Sequence, residues 1–154
     1  MLEKNDELLV YLIRHGGTSG NEQKRYIGKT DEALTQNWEK KLADMHAPDV
    51  DIVYSSPMLR CVQTASILYG KEPDVITCGL RECDFGRFEG KDYIELSSDP
   101  DYQRWIDSGG KIGFPEGEDI GEFKKRVVKS FLEDVVADCQ HKHFSSAAVV
   151  THGG

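Results

Sequence analysis

The stretch LLVYLIRHGG, residues 8–17, joins a short apolar run to an arginine and a histidine. The run 8–13 lacks strict alternation of apolar and polar residues, which is typical of a strand buried on both faces of a parallel sheet. In open sheets of this kind, ligands bind beyond the carboxyl ends of the strands. Arg14 and His15 therefore stand where an α/β protein commonly places its binding or catalytic groups.

Three further apolar runs repeat this pattern and alternate with amphipathic segments. The predicted strands are 51–55, 74–78 and 147–151, and the predicted helices are 32–46, 57–69 and 118–139. Ser56 is the predicted cap of the second helix, and Pro57 lies in its first turn. The alternation predicts a three-layer α/β/α fold with a mostly parallel central sheet. The glycine-rich stretch of about 83–117 is expected to form a small cap-like insertion.

Length and composition indicate an ordinary globular protein. The chain has 154 residues and a net charge of −8, which favours one domain over 1–154 and disfavours a nucleic-acid or anionic-membrane surface. The four cysteines form no CxxC pair, and no secretory signal or membrane-length apolar run is present. We expect a reduced, cytoplasmic protein with no nucleic-acid or membrane partner. The oligomeric state is left open.

Charged side chains follow every predicted strand. Arg14 and His15 follow the first, Arg60 the second, Glu82 the third and His152 the fourth. Taken singly, such residues are more often structural: a histidine caps or packs, and an arginine forms a surface ion pair. Parallel strands, however, bring all four ends to one rim. Two histidines, arginines and a carboxylate there predict a phosphate pocket with acid–base groups.

The motifs that carry these residues resemble those of a known family. They are LIRHGGTSGN (12–21), YIGKTDEALT (26–35), VYSSPMLRCVQTASIL (53–68), LRECDFGRFEG (80–90), FPEGED (114–119) and VVTHGG (149–154). In this order they resemble the histidine phosphatase superfamily, also called phosphoglycerate mutase-like, and within it the α-ribazole phosphatase-like and broad-specificity phosphatases. The resemblance implies the phosphoglycerate mutase-like form of the α/β fold, with no metal and no cofactor.

The resemblance also implies roles for individual residues. His15 matches the family's nucleophile, with a backbone carbonyl at Gly16 or Gly17 expected to hold its second ring nitrogen. Glu82 matches the general acid/base, and Asp84 is its competitor two residues on. Arg14, Arg60 and His152 match phosphate-pocket residues, and His152 is expected to act best as imidazolium. The matching phosphate- or substrate-binding positions are Asn21, Gly28 and Gly153.

The function implied is that of a phosphomonoesterase acting on a small phosphorylated metabolite through a phosphohistidine. α-Ribazole 5′-phosphate is a candidate substrate, and Tyr93, Trp105 and Phe114 either stack on its base or pack a small cap. Two alternatives stay open: a phosphoglycerate mutase, and a non-catalytic phosphate-binding or scaffold protein. The HKH sequence at 141–143 is interpreted as a polar turn, and Cys83 as a packing residue.

Three departures from the family pattern stand out. Gly17 follows RHG where the family has Glu or Gln, and LTQNWEKK (34–41) lacks a glycine that usually comes soon after LT. The second departure is interpreted as a change on a helix face. The third is the ending: the chain stops after the second histidine motif, where relatives continue. We therefore expect a C-terminal helix and edge structure to be missing and one flank of the strand at 147–151 to be exposed.

Overall fold

The central sheet has four parallel strands in the order β1–β4–β2–β3. The computed structural model describes residues 7–153, so both predicted domain limits, 1 and 154, lie outside the described residues. The strands are β1 (Leu9–Arg14), β2 (Ile52–Ser55), β3 (Val75–Ile76) and β4 (Ser146–Thr151). The helices are α1 (Ser19–Glu22), α2 (Gln36–Ala43), α3 (Leu59–Tyr69), α4 (Pro100–Asp107), α5 (Ile120–Ser130) and α6 (Ala137–His141). The predicted α/β class with a mostly parallel sheet is confirmed.

Helices cover both faces of the sheet, which makes the fold three-layered. On one face Val53 and Val150 pack against Cys61 and Ala65 of α3. On the other face, alternate strand residues pack against the long helix that runs from α5 through a π-helical segment, Phe131–Val136, into α6. Because every second strand residue faces each helix layer, both sets of side chains are apolar.

β4 is an interior strand, and this corrects one expectation. It pairs with β1 along its whole length and with β2 over Ile52–Ser55, and Ala147 to Val150 are fully buried. The expected exposed flank is therefore wrong for this strand. The edge strands are β1, where Leu9 is 55% and Leu12 68% exposed, and the short β3.

The α3 helix begins later than its sequence signature suggests. Its N-cap is Met58, which makes no side-chain capping bond, so the prediction that Ser56 caps this helix is wrong. Ser56 is buried and lies at the end of β2, where its N–H donates to the carbonyl of Val150 at 2.9 Å. That bond extends the strand pairing by one residue and leaves the Ser56 hydroxyl at the carboxyl rim of the sheet.

The stretch 83–117 folds around its own small aromatic cluster. Its buried members are Cys83, Phe88, Leu96, Tyr102 and Phe114. Trp105 packs against this cluster, stacked on Tyr102 at 6.0 Å between ring centroids, whereas Tyr93 is exposed. Of the two interpretations offered above, the structure favours packing for Trp105, Phe114 and Cys83. Within residues 7–153 no helix is long and apolar enough to cross a membrane.

Candidate active site

His15 follows β1 directly and has a defined tautomer. Its Nδ1–H donates to the carbonyl of Gly16 at 2.6 Å, as the sequence predicted for this loop. Because Nδ1 carries the proton, Nε2 holds a free lone pair. Burial, together with the charges of Arg60 and Arg14, lowers the pKa of His15 from 6.5 to about 4, against the raising effect of the Gly16 bond. The ring is therefore neutral at physiological pH and nucleophilic at Nε2.

Arg60, in the first turn of α3, is a fully buried cation. Its guanidinium donates to the carbonyls of Thr30 at 2.9 Å and Gly28 at 2.8 Å, and Nε has no hydrogen-bond partner. Among the described residues no carboxylate forms a salt bridge with it. A buried charge held by neutral acceptors strongly favours a nearby anion.

His152 follows β4 and lies beside His15, with ring centroids 5.2 Å apart. Its Nε2 is 2.8 Å from Ser56 Oγ, and a terminal nitrogen of Arg60 is 3.5 Å from Nδ1. Since the arginine can only donate, Nδ1 accepts and Nε2–H donates to Ser56. Burial, followed by the charge of Arg60, lowers the pKa of His152 to about 3. In the protein alone this ring is therefore neutral, and the expectation of an imidazolium beside bound phosphate stays a prediction.

Glu82 lies on the same rim, and its carboxyl group faces His152. Its side chain is 11% exposed, with Oε2 3.9 Å from His152 Nδ1 and Oε1 accepting from the N–H of Cys83 at 2.9 Å. Burial raises its pKa, which favours a protonated acid. Asp84 instead accepts from the N–H of Gly86 and pairs with Lys29. The geometry therefore places Glu82, rather than Asp84, against His152.

A cleft of about 320 Å³ opens beside His15. Arg14 and Asn21 line it. Arg14 is exposed, and its side chain makes no hydrogen bond with any residue in 7–153. Asn21 uses its Oδ1 to accept from the N–H of Thr18 at 3.0 Å, which leaves its amide donors available. Gly153 packs against the Arg14 guanidinium. The cleft thus offers N–H donors beside His15.

Gly28 differs from its predicted role. Its N–H donates to the carboxylate of Glu89 at 3.1 Å, so that donor is not available to a phosphate. Its carbonyl accepts from Arg60, and a Cβ atom here would overlap the carbonyl oxygen of Cys83. Gly28 therefore supports Arg60 through a close backbone approach that only glycine allows.

Sequence reasoning missed two residues of this site. Ser56 was assigned to helix capping and instead contacts His152. Trp38 was interpreted as part of the apolar stripe of α2, and the departure in LTQNWEKK was interpreted as a change on a helix face. The indole instead lines the cleft beside His15. Gly17 and Trp38 both lie in segments that depart from the family pattern. This shared departure could have indicated that the two residues are neighbours in the site. Among the described residues no three metal-ligating side chains cluster.

Comparison with known proteins identifies the family. The family model of the histidine phosphatase superfamily, branch 1, matches residues 10–154. The chain belongs to the histidine phosphatase superfamily. The predicted family and enzyme class, a histidine phosphatase, are confirmed by this match.

Individual histidine phosphatase relatives support the assignment. The chain is 36% identical to the Hydrogenobacter thermophilus protein named "Putative phosphoserine phosphatase 2", over 94% of this chain and 73% of that one. It resembles the crystal structure of phosphoglycerate mutase from Thermus thermophilus at a TM-score of 0.74 and 32% identity, covering 94% and 78% of the two chains. It also shares the fold of the α-ribazole phosphatase from Shigella flexneri, at a TM-score of 0.79 and 24% identity, covering 93% and 73%.

Proposed function

We propose that this histidine phosphatase is a phosphomonoesterase that hydrolyses a small phosphorylated metabolite through a phosphohistidine at His15. The observation that carries the proposal is the 2.6 Å bond from His15 Nδ1–H to the Gly16 carbonyl. It directs the unprotonated Nε2 away from that bond, in a ring that burial keeps neutral. A neutral imidazole nitrogen beside buried and free arginines suits attack on phosphorus.

In the first step, Nε2 of His15 forms a bond to phosphorus while the ester P–O bond breaks. Charge on the phosphoryl oxygens is balanced by Arg60 and Arg14, whose planar guanidinium groups match phosphate geometry. Burial raises the pKa of Glu82, which favours the protonated acid that this step requires; Glu82 gives its proton to the leaving alkoxide. The products are the alcohol, phospho-His15 and the Glu82 carboxylate.

In the second step, the Glu82 carboxylate takes a proton from water as the water oxygen attacks phosphorus. The P–N bond breaks, inorganic phosphate leaves, and His15 and Glu82 return to their starting forms. His152 contacts the phosphoryl group and starts from its neutral form. A bound dianion raises the pKa of a neighbouring histidine, which draws His152 toward the imidazolium form only once substrate is present.

The direct test is chemical trapping of the intermediate. His15→Ala should lower hydrolysis of 4-nitrophenyl phosphate by at least about 10³-fold and abolish an acid-labile, base-stable phosphoprotein on His15. A chelator should leave wild-type activity intact. Asp84→Asn provides a matched control at a nearby polar position outside the proposed reaction. Full activity in the His15→Ala variant would refute the mechanism.

The substrate is resolved by a panel that contains α-ribazole 5′-phosphate, phosphoserine and 3-phosphoglycerate. Similarity to a protein named phosphoglycerate mutase keeps mutase activity as the second candidate. Conversion of 3-phosphoglycerate that depends on added bisphosphoglycerate would favour that candidate. Tight phosphate binding without any phosphohistidine would instead favour a non-catalytic phosphate-binding role.

A further inference from the structure

Gly17 and Trp38 occupy one shared space beside His15. The backbone of Gly17 is not in the left-handed region, yet a Cβ atom there would overlap the indole Nε1. A Cβ atom on Gly16 would lie 3.3 Å from Cε3 of the same indole. Trp38 therefore lies directly on the two-glycine loop whose first carbonyl orients His15.

The loop does not depend on the indole for its position. The N–H of Gly16 donates to Thr64 Oγ1 at 3.0 Å, and the carbonyl of Gly17 accepts from the N–H of Thr35 at 3.1 Å. Thr35 also caps α2 by accepting from the N–H of Trp38. These bonds position both the loop and the start of α2. The indole is therefore not needed to hold the loop, and its role can be sought in the cleft that it lines.

The indole is half-buried and lines the cleft together with Arg14, His15 and Glu22. Its Nε1 makes no hydrogen bond with any residue of the described part of the chain. Lys41 Nζ lies 4.8 Å from the ring centroid, which covers one face of the ring by a cation–π contact. Trp38 therefore presents part of its indole surface to the cleft next to His15.

We infer that Trp38 is a specificity-determining residue that contacts the organic part of the substrate and selects monoesters with a flat, uncharged ring close to the ester oxygen. The inference rests on the proposed function, because it assumes that phosphate binds at His15. Aromatic side chains favour planar partners beyond simple area burial. Glu22 adds a carboxylate to the same cleft, which disfavours leaving groups that carry their own carboxylate, such as phosphoglycerate.

The test compares binding of two non-hydrolysable probes, phenylphosphonate and methylphosphonate, by calorimetry. Wild-type protein should bind phenylphosphonate about tenfold more tightly. In Trp38→Ala this preference should fall to within about twofold, while the affinity for methylphosphonate, which reaches only the phosphate pocket, stays unchanged. Trp38→Phe should keep most of the preference because it retains a ring.

Gly17→Ala provides an independent test that leaves residue 38 a tryptophan. The added methyl group should displace Trp38 and reduce the preference for phenylphosphonate, but have no further effect in the Trp38→Ala background. Gly113→Ala is the matched control, because a Cβ atom there meets its nearest neighbour at an ordinary 3.4 Å. Its probe affinities should equal those of wild type.

Three results would overturn the inference: an unchanged preference in Trp38→Ala, an equal loss of both affinities, or tighter phenylphosphonate binding once the indole is removed. The last would mean that Trp38 blocks the cleft. The proposed function fails separately, if no phosphohistidine forms, because phosphonate binding requires no turnover.

Discussion

Ser56 Oγ and His152 Nε2 lie 2.8 Å apart at the carboxyl ends of neighbouring strands β2 and β4. The Ser56 N–H to Val150 carbonyl bond continues the strand pairing, so the sheet itself sets this contact. Ser56 also lies four residues before Arg60. One strand-to-helix connection thus orients the second histidine and delivers the buried guanidinium.

Ser56→Ala should reduce catalysis without unfolding the protein. Loss of the hydroxyl leaves His152 Nε2–H with the weaker acceptor Cys61 Sγ, 3.6 Å away, which costs orientation of the ring and about 1 kcal/mol of stability. We expect kcat/KM for 4-nitrophenyl phosphate to fall about tenfold. Ser56→Thr, which retains an oxygen, is the control. Wild-type kinetics in Ser56→Ala would show that this contact has no role in turnover.

Stability should fall on acidification, in part because of His152. Its pKa is 6.5 when unperturbed and about 3 in the fold, so between these values the unfolded chain binds more protons. Unfolding is therefore favoured as pH falls from 6.5 toward 3. From pH 7.5 to 4.5, wild type should lose about 2.7 kcal/mol relative to His152→Asn in urea unfolding. A stability difference between the two proteins that is independent of pH would contradict this.

Glu82→Gln should affect poor leaving groups most. An alkyl phosphate needs a proton on its departing oxygen, whereas 4-nitrophenolate leaves without one. We expect kcat for an alkyl ester to fall about 10²–10⁴-fold and the rate of phosphohistidine formation from 4-nitrophenyl phosphate to fall much less. Rapid-quench measurement of the phosphoenzyme separates the two. Equal losses on both esters would argue against proton donation by Glu82.

Gly28→Ala should weaken phosphate binding through Arg60. The new methyl group would overlap the Cys83 carbonyl, which forces the backbone away and costs about 1–3 kcal/mol of stability. Because the Gly28 carbonyl holds the Arg60 guanidinium, phosphate affinity should fall with it. Thermal unfolding and phosphate titration measure the two effects, with Gly113→Ala as the control. Unchanged phosphate affinity would show that Gly28 does not support phosphate binding through Arg60.

Much of the fold was predictable because the strands are continuous apolar runs between amphipathic helices. All four predicted strands exist, although the one at 74–78 shrinks to Val75–Ile76 at a sheet edge. The π-helical segment Phe131–Val136 was not predicted, since a wider turn leaves the apolar stripe nearly intact. The interior position of β4 depends on strand order, which local patterns do not encode.

The charged residues of the site were predictable because each follows a predicted strand. The uncharged residues that contact them, Ser56 and Trp38, were not predictable in the same way. Ser56 precedes a proline and a helix, which is the usual signature of a cap; only its tertiary neighbour reveals the contact with His152. Trp38 lies on an apolar helical stripe, which normally faces the core. Its placement over Gly17 depends on the packing of α2 across the loop after β1, a long-range feature that helical periodicity does not report.

Arg60 is buried and has no carboxylate partner within residues 7–153, and this affects the stability of the protein as well as its chemistry. Any phosphate ester or inorganic phosphate that reaches this guanidinium stabilises the fold by RT ln(1 + [L]/Kd). A hundredfold excess over Kd adds about 2.7 kcal/mol, a large share of the stability of a domain of this size. Bound phosphate would then protect the protein from unfolding. Its resistance to proteolysis would rise and fall with the concentration of phosphate and phosphate esters around it.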